Sequence, residues 1–411
     1  MNFLISHIKE PLRRSLYQHQ LLKRIYILIR NSINLFISIL IFPLTLTILI
    51  VIILIRPIIH IRVGRLRNDK IGHLSLEFEL YLLEKKLEKK RKFDIFFKEK
   101  IVCNKTLYNL RKKQLIVFPK FILKDSFFLF NFFGLKDLFC ANRKFGDEDT
   151  NYLIDKSKPT ITLKKEILNK NLEKLYKNGL KKNQKIVCIH IRDSAFRGYS
   201  DFTDYKNTYD YKNYYKTIKF LLKKKYYVVR TGRKSFHKFK IKDSNFLDYP
   251  FSKVQSDDMD MVLANKCYFG ISTGSGYDGV IRMFRNPVLF VNFIPPGYFP
   301  SYGKKNMVIF KHMNINKSFV SFKKLIDTGL FFNCDGRNFS NHKITFKENS
   351  TDEIYSALRD FLKFIKSNFK QKQMHKEKIK QIFYNKVKNQ YKYSKHKKIN
   401  ASISNSYLKK K

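Results

Sequence analysis

Two short stretches of the sequence carry side chains that could bind an anion. Residues 190–193 read HIRD and follow a buried apolar run, and residues 272–279 read STGSGYDG. An arginine at the end of a buried strand presents a rigid set of donors that suits a diphosphate. Glycines and hydroxyls ahead of a helix let backbone amides approach the same kind of ligand. The two turns together predict a site for a nucleotide phosphate.

A third turn of similar character follows the apolar run YYVV, where the sequence continues RTGR. Each turn alone has a structural explanation, because Arg–Asp pairs and Gly-Ser turns also occur as ordinary strand ends and helix caps. Three neighbouring strands that end in cationic or glycine-rich turns are better explained by an anion site. The residues predicted to bind the anion are His190, Arg192, Arg230, Gly232, Ser272, Thr273, Gly274, Ser275 and Gly276.

Two residues are candidates for a general base, His73 and Asp193. His73 follows Gly72 at the start of a predicted helix, where the helix dipole disfavours the protonated imidazole and leaves it able to accept a proton. The alternative is a histidine that only packs near the helix start. The pair Asp258-x-Asp260 would suit a metal ion, but it opens a predicted helix, where carboxylates are favoured by capping. We therefore expect no obligate metal.

The spacing of apolar runs predicts the elements that must position these residues. In residues 183–345 the runs recur with helical patterns between most of them, which predicts a Rossmann-like parallel sheet. Residues 57–182 form a preceding α/β domain, with a helix beginning near His73 and short aromatic strands or edges at FDIFFKEK, KQLIVFPKF and DSFFLFNFFG. A closing helix is expected over residues 346–369. The predicted fold class is α/β.

Charge and cysteine usage restrict the cellular setting. The chain has 411 residues, with 83 Lys+Arg against 33 Asp+Glu and a net charge of +50. Such a charge indicates nucleic-acid or anionic-membrane binding, or a compositional drift toward lysine, which is favoured because the lysines are spread along the whole chain. The five cysteines lack metal-site spacing, which favours a reducing compartment over a disulfide scaffold.

The sequence of the N-terminal region, residues 1–56, predicts a membrane anchor. Residues 35–55 contain no charge, about the length that crosses a bilayer core as a helix. Pro43 would kink such a helix, and basic residues flank it on both sides, so a spanning helix and a hairpin in one leaflet both stay open. A buried soluble helix is the other alternative. The lysine-rich residues 370–411 are expected to be disordered and able to bind anionic lipid, with RNA as the competing partner.

Several motifs in the same order resemble one protein family. GRLRNDKIGHLSLEFELYL, VCIHIRDSAF, YYVVRTGRK, FLDYPFS, DMDMVLANKCYFGISTGSGYDGV and FRNPVLFVNFIPP are similar to bacterial glycosyltransferases of surface-polysaccharide clusters, which are distantly similar to GT-B enzymes such as the O-fucosyltransferases. The resemblance spans roughly residues 60 to 330. It implies two Rossmann-like domains of the GT-B kind, with a sugar nucleotide bound mainly by the second.

The resemblance also implies roles for individual residues. Arg192 would match the arginine of a His-x-Arg motif that holds the donor diphosphate, with STGSG on the other side of the ligand. Where the family pattern leads us to expect Tyr-Arg-Asn, this chain has Tyr205-Lys206-Asn207. Lysine cannot make a planar bidentate contact, which argues against a donor-binding role there.

These observations predict a membrane-associated, metal-independent glycosyltransferase on the cytoplasmic face of the inner membrane. It would move a sugar from a nucleotide-sugar donor, used as a substrate and not as a cofactor, to a hydroxyl of a lipid-linked glycan or polysaccharide. His73 or Asp193 would take the acceptor proton. The alternatives are a membrane-tethered nucleic-acid or polyanion binder, although nucleic acid is not the expected partner, and a polysaccharide pyruvyl transferase.

Overall fold

The computed structural model describes residues 21–90, 92–144, 146–196, 198–200, 202–370 and 400–408. The chain divides into two compact units. Unit 1 comprises Met1–Lys70 and Glu84–Gly146, and unit 2 comprises Ile71–Leu83 and Asp147–Lys411. The segment that contains His73 therefore belongs to unit 2, although it lies within residues 57–182, the range predicted for the first domain.

The described elements are numbered here in chain order. The helices are α1 (Leu21–Leu54), α2 (Phe78–Lys85), α3 (Lys105–Lys112), α4 (Lys120–Phe132), α5 (Lys136–Phe139), α6 (Leu153–Lys156), α7 (Lys165–Tyr176), α8 (Tyr215–Lys223), α9 (Asp257–Lys266), α10 (Gly276–Met283), α11 (Phe322–Asp327), α12 (Gly336–Asn341), α13 (Thr351–Lys366) and α14 (Asn405–Leu408). The strands are β1 (Ile61–Leu66), β2 (Phe93–Lys98), β3 (Ile116–Phe118), β4 (Ile186–His190), β5 (Tyr227–Thr231), β6 (Phe246–Asp248), β7 (Cys267–Ser272), β8 (Val288–Phe293), β9 (Asn306–Phe310), β10 (His312–Ile315), β11 (Ser318–Phe319), β12 (Thr345–Lys347) and β13 (Ser402–Ile403).

Unit 2 is built on a seven-stranded sheet in the order β13-β9-β8-β7-β4-β5-β6. Every pairing within this sheet is parallel. The central strands β4, β5, β7 and β8 are almost entirely buried, which explains their continuous apolar sequences, since a parallel sheet is covered on both faces. The prediction of an α/β fold with a parallel sheet is confirmed. The chain between β9 and β13 forms a small antiparallel sheet in the order β11-β10-β12.

The C-terminal end of the described chain forms the outer strand of this sheet. β13 pairs in parallel with β9, and Ala401, Ile403 and Ser404 are buried. The Oγ of Ser404 donates a hydrogen bond to Asp360 of α13 at 2.7 Å. The prediction of a disordered tail is therefore wrong for residues 400–408, because their small and apolar side chains complete the sheet edge; residues 371–399 lie outside the described residues.

Unit 1 contains a three-stranded parallel sheet, β1-β2-β3, packed against α4 and the end of α1. The segment DSFFLFNFF was predicted to be a strand or edge and is instead part of α4. Its aromatic residues favour strands, but Leu123, Phe127 and Phe130 lie on one helical stripe that packs into the unit 1 core. Tertiary packing has overridden the local β-propensity.

The long helix α1 extends over 34 residues and contains Pro43. No single helix in the described part of the chain is long and apolar enough by itself to cross a bilayer. The segments Leu28–Ile37 and Ile39–Leu54 satisfy that requirement together but meet at a 45° bend. Pro43 has no N–H to donate to the carbonyl of Ile39, so the bend follows from the missing hydrogen bond and the clash of its ring with that carbonyl.

Candidate functional site

The carboxyl ends of three adjacent strands, β7, β4 and β5, meet at one edge of the unit 2 sheet. His190 at the end of β4 pairs in register with Ser272 of β7 on one side and Thr231 of β5 on the other. Ligands of open parallel sheets bind outside this edge, where loops and helix N-termini converge. The residues that follow these strands are therefore placed to form a site.

Arg192 is held at this edge by two neighbouring segments. Its backbone N–H donates to the Oγ1 of Thr273 at 3.0 Å, and its Nε donates to the Oδ1 of Asn207 at 3.2 Å. Thr273 is buried and its own N–H bonds to the carbonyl of His190 at 3.2 Å. The first two predicted turns are thus joined directly, through Arg192 and Thr273.

The ammonium of Lys206 is repelled by the charge of Arg192. It ends a short 3₁₀ helix, Asp204–Lys206, and its ammonium lies 5.4 Å from the centre of the Tyr205 ring. Within the described residues, no hydrogen bond or ion pair holds this ammonium. Burial lowers the pKa of Lys206, with repulsion by Arg192 adding to the effect against the attraction of Cys334 and Asp147. A partly buried cation without an acceptor is costly unless a ligand supplies one.

The main chain around Lys206 is fixed by a second, fully buried lysine. The Nζ of Lys311 donates to the carbonyls of Asn207 at 2.6 Å and Tyr205 at 3.2 Å. Burial also lowers the pKa of Lys311. The ammonium of Lys311 thus fixes the loop through its main-chain carbonyls. The ammonium of Lys206, which this loop positions, makes no such hydrogen bond within the described residues.

The turn at 272–276 is shaped by glycine conformation and by capping. Gly274 has φ of +79°, and a Cβ there would lie 2.9 Å from the Phe293 ring. Ser275 caps α10 together with Asp278, whose carboxylate accepts from the Ser275 N–H at 2.6 Å and from the Ser272 hydroxyl at 3.1 Å. Burial raises the pKa of Asp278 to about 6. This carboxylate therefore occupies the hydroxyl of Ser272 and the N–H of Ser275, two of the donors that the sequence predicted for a ligand.

His190 is positioned as a neutral side chain. Its ring stacks on Tyr277 with centroids 5.4 Å apart, and its Nδ1 lies 3.2 Å from the hydroxyl of Thr231. Burial lowers the pKa of His190 to about 4, and the charges of Arg192 and Arg230 act in the same direction. At neutral pH His190 therefore adds no charge to the site.

A helix from the N-terminal part of the chain packs directly on this turn. Gly72 precedes a π-helical segment, His73–Glu77, which continues into α2. A Cβ on Gly276 would lie 2.9 Å from the backbone nitrogen of Gly72, and a Cβ on Gly279 would lie 3.2 Å from the Oγ of Ser75. Glycines thus let the two helices approach backbone to backbone, which places His73 beside the start of α10.

His73 forms a hydrogen-bonded pair with Glu77. The Nδ1 of His73 lies 2.6 Å from a carboxylate oxygen of Glu77, and the side chains are 30% and 6% exposed respectively. A carboxylate has no proton to donate, so Nδ1 is the donor of this hydrogen bond, and in the neutral imidazole Nε2 is then the nitrogen that carries the lone pair. The π-helical turn is a form found often at functional sites. This geometry fixes the orientation of the His73 ring, and the spacing of four residues in the sequence was the signal that could have identified Glu77.

Two other predicted site residues are used inside unit 2. Asp193 accepts hydrogen bonds from the N–H of Ala195 at 3.0 Å and the Oγ of Ser235 at 2.6 Å. Arg230 is 1% exposed and donates to Asp248 at 2.5 Å, to Ser235 at 2.7 Å and to the carbonyl of His237 at 2.8 Å. These contacts give Arg230 a framework role in place of the ligand role predicted for it. Gly232, with φ of +131°, allows the chain to turn there.

The acidic residues at the start of α9 form a structural network. Asp260 accepts from the hydroxyl of Tyr249 at 2.8 Å and from Arg233 at 2.8 Å, and Arg233 also contacts Asp257. Among the described residues, no three His, Cys, Asp or Glu side chains are grouped closely enough to hold a metal ion. Asp260 of the Asp-x-Asp pattern is thus paired with Arg233 and Tyr249 inside the protein.

A cavity of about 140 Å³ lies at the opposite, amino-terminal ends of β8 and β9. Its lining includes Arg282, Arg285 and Lys305. Arg285 donates to Glu79 and to the carbonyls of Ser157 and Lys158, each at 2.8 Å. The cationic side chains that line it already bond to protein groups, so we interpret this cavity as a gap where elements of unit 2 pack together.

No protein-family model matches the chain, and no curated protein matches it in sequence. Its fold is similar to that of a glycosyl transferase family 9 protein from Veillonella parvula, with 12% identity and a TM-score of 0.43 over 74% of this chain and 96% of that chain. It is also similar to the ADP-heptose lipopolysaccharide heptosyltransferase II of E. coli, with 12% identity and a TM-score of 0.42 over 74% and 99% of the two chains.

A third similar structure is the dodecameric, iron-containing heptosyltransferase TibC in complex with ADP-heptose. It has 11% identity and a TM-score of 0.29 over 56% of this chain and 58% of that chain.

Proposed function

We propose that this protein is a glycosyltransferase that moves a sugar from a nucleotide-sugar donor to an acceptor hydroxyl. The observation that supports this proposal is that the turn at 272–276 is contacted by Arg192 through Thr273 and by Gly72, the residue before the carboxylate-bonded His73, through Gly276. Arg192 suits a diphosphate, and Lys206, against which the sequence argued because lysine cannot make a bidentate contact, suits it as a point charge. His73 with Glu77 suits the removal of a proton. A glycosyl transfer from a nucleotide sugar needs both functions.

In the proposed reaction the acceptor oxygen attacks the anomeric carbon of the donor sugar. The Nε2 of His73 takes the hydroxyl proton as the new C–O bond forms, and the bond from the anomeric carbon to the diphosphate oxygen breaks. The nucleotide diphosphate leaves with that electron pair, and Arg192 and Lys206 offset its developing charge. Glu77 stabilises the imidazolium. Asp193 is not needed as a base in this scheme, since both its oxygens already accept hydrogen bonds.

We further propose that α1 anchors the enzyme to the cytoplasmic face of a bacterial inner membrane, where it would use a lipid-linked glycan or polysaccharide as acceptor without a metal cofactor. Exposed apolar residues along α1 support the anchoring, because soluble surfaces rarely leave such a helix uncovered. All five cysteines are free, which agrees with a reducing compartment.

Arg192→Ala is expected to weaken the binding of UDP, GDP or ADP, whichever the wild-type protein binds, by about 10- to 100-fold. The reason is the loss of charge-assisted hydrogen bonds to the diphosphate, each worth about 1.5–3 kcal/mol. Arg192→Lys should recover only part of the affinity, because lysine lacks the planar set of donors. Isothermal titration calorimetry measures the dissociation constants. If Arg192→Ala binds the nucleotide as tightly as wild type, the proposed site is wrong.

Lys206→Gln is expected to weaken the same nucleotide diphosphate by roughly 10-fold while nucleoside binding stays unchanged, since only the phosphate contact is lost. Lys206→Arg should keep most of the affinity. Lys212→Gln is the matched control: it removes the same charge from an exposed position on a neighbouring 3₁₀ helix. Equal affinities for Lys206→Gln and Lys212→Gln would show that Lys206 is not a ligand.

A further inference from the structure

The end of α1 is surrounded by apolar side chains from two separate segments of unit 1. His60 and the carbonyl of Leu138 are in contact, with Nε2 and O 2.7 Å apart, which brings the residues after α1 beside those after α4. Around this contact lies a group of exposed apolar residues that we call the terminal patch, consisting of Leu54, Ile58, Ile59, Phe132, Phe133 and Leu138. Ile58 is 86% exposed and Phe133 56%.

The terminal patch continues an apolar surface that follows α1 itself. Leu46, Ile50 and Val51 are exposed, while Leu49 and Ile52 on the other side of the same turns are buried in the unit 1 core. α1 therefore packs on unit 1 along one face and leaves its opposite face apolar and uncovered up to its last turn. The terminal patch extends this uncovered face beyond the helix.

The chemistry of this surface fits lipid better than a protein partner. Phe36, Ile37, Ile39, Leu40 and Phe42 are all exposed, and at about 100° per residue they point in directions all around the axis of α1. A protein partner would cover one face of the helix, whereas a bilayer surrounds it. Cations border the terminal patch, with Arg56 5.8 Å from the Phe139 ring and Lys136 exposed at the start of α5. They would meet anionic headgroups.

If α1 crossed the bilayer, its C-terminal end would emerge at the membrane surface. The terminal patch, which lies beyond that end, would then be outside the hydrocarbon. At about 1.5 Å per residue, α1 is also longer than the roughly 30 Å hydrocarbon core. An apolar surface that continues past the end of α1 is explained if the bent helix is embedded in the hydrocarbon of one leaflet, which surrounds it on all sides, and the patch enters the same leaflet. The 45° bend in α1 is compatible with a helix held within one leaflet.

We propose that unit 1 is a monotopic membrane module, in which α1 and the terminal patch enter the same leaflet and the bilayer is not crossed. The occupant of the surface is an anionic lipid leaflet. This inference rests on the proposed membrane anchoring and specifies that the anchor enters one leaflet without crossing the bilayer.

The absence of tryptophan from the chain allows a direct test. The full-length Phe133→Trp protein carries one tryptophan, at the terminal patch. With vesicles of phosphatidylglycerol and phosphatidylcholine, its emission should shift by about 10 nm or more to the blue, and lipids brominated on their acyl chains should quench it several-fold. Tyr176→Trp is the control, because Tyr176 is exposed in α7 of unit 2, and its emission should not change.

Each outcome of this experiment has a distinct meaning. If Phe133→Trp co-floats with the vesicles but keeps the emission of a water-exposed tryptophan, α1 anchors the protein without the terminal patch and the monotopic inference is wrong. If neither variant floats with vesicles, membrane anchoring itself is wrong, and the inference fails with it. Retained donor binding in both variants shows that the proposed glycosyltransferase site is intact in either case.

Discussion

His73→Ala is expected to lower kcat by about 10²- to 10⁴-fold, the usual contribution of a general base. The reason is that Nε2 is the proton acceptor in the proposed transfer, and the described site offers no equivalent group, since both oxygens of Asp193 are hydrogen-bonded. Nucleotide diphosphate affinity should stay within about twofold of wild type. The measurement is steady-state turnover of the donor that the nucleotide-binding screen identifies.

Glu77→Gln separates the role of a base from the role of the residue that orients it. Glutamine keeps the hydrogen-bonding length but not the negative charge, so kcat should fall by a smaller factor than in His73→Ala, with a shifted pH–rate profile. The matched control is His342→Ala, because His342 is exposed and bonds only to the helix carbonyl of Asn338 within the described residues. Turnover of His73→Ala within a few-fold of wild type would exclude His73 as the base.

Arg230→Met is expected to destabilise the protein by about 3–5 kcal/mol, because it leaves the carboxylate of Asp248 buried without its ion-pair partner. The side chains of Arg230 and Asp248 are 2% and 9% exposed. Methionine fills most of the volume, so the loss reports charge and hydrogen bonds more than packing. Urea-induced unfolding followed by circular dichroism measures the change in the free energy of unfolding.

The control for this prediction is a surface ion pair of unit 2. Lys216 and Asp352 contact each other at 2.6 Å, but their side chains are 50% and 74% exposed, so Lys216→Ala should cost less than about 1 kcal/mol. An Arg230→Met protein that unfolds at the wild-type urea concentration, but no longer binds a nucleotide diphosphate, would contradict the framework role. That result would support the role in ligand binding that the sequence predicted for Arg230.

The central elements of unit 2 could be predicted because their signals are local. The apolar runs at Ile186, Tyr227 and Cys267 are bounded by turns, and each begins a strand in the structure. The turns that follow them could be expected at one sheet edge, because parallel strands bring their carboxyl ends together. The register of His190 with Ser272 and Thr231 bears this out.

What the sequence could not reveal depends on contacts between distant residues. A cationic side chain at a strand end is equally suited to a ligand or to a buried carboxylate, and only the pairing of Arg230 with Asp248 decides between them. The placement of His73 in unit 2 depends on Gly72 meeting Gly276, which no local pattern encodes. Local propensity also misassigned α4, whose aromatic residues pack as a helical stripe.

The close approach of Gly72 to Gly276 has a consequence for the order in which the protein acquires its parts during synthesis. The ribosome makes His73 early, but the helix on which it packs begins at Gly276, and the outer strand of the same sheet ends at Ile403. Until those residues emerge, β9 has an unpaired edge of the kind that promotes aggregation. The helix α1, which we propose to bind lipid, precedes all of them in the chain. If it binds lipid, the nascent protein can reach the membrane before its proposed base and its proposed phosphate site have come together.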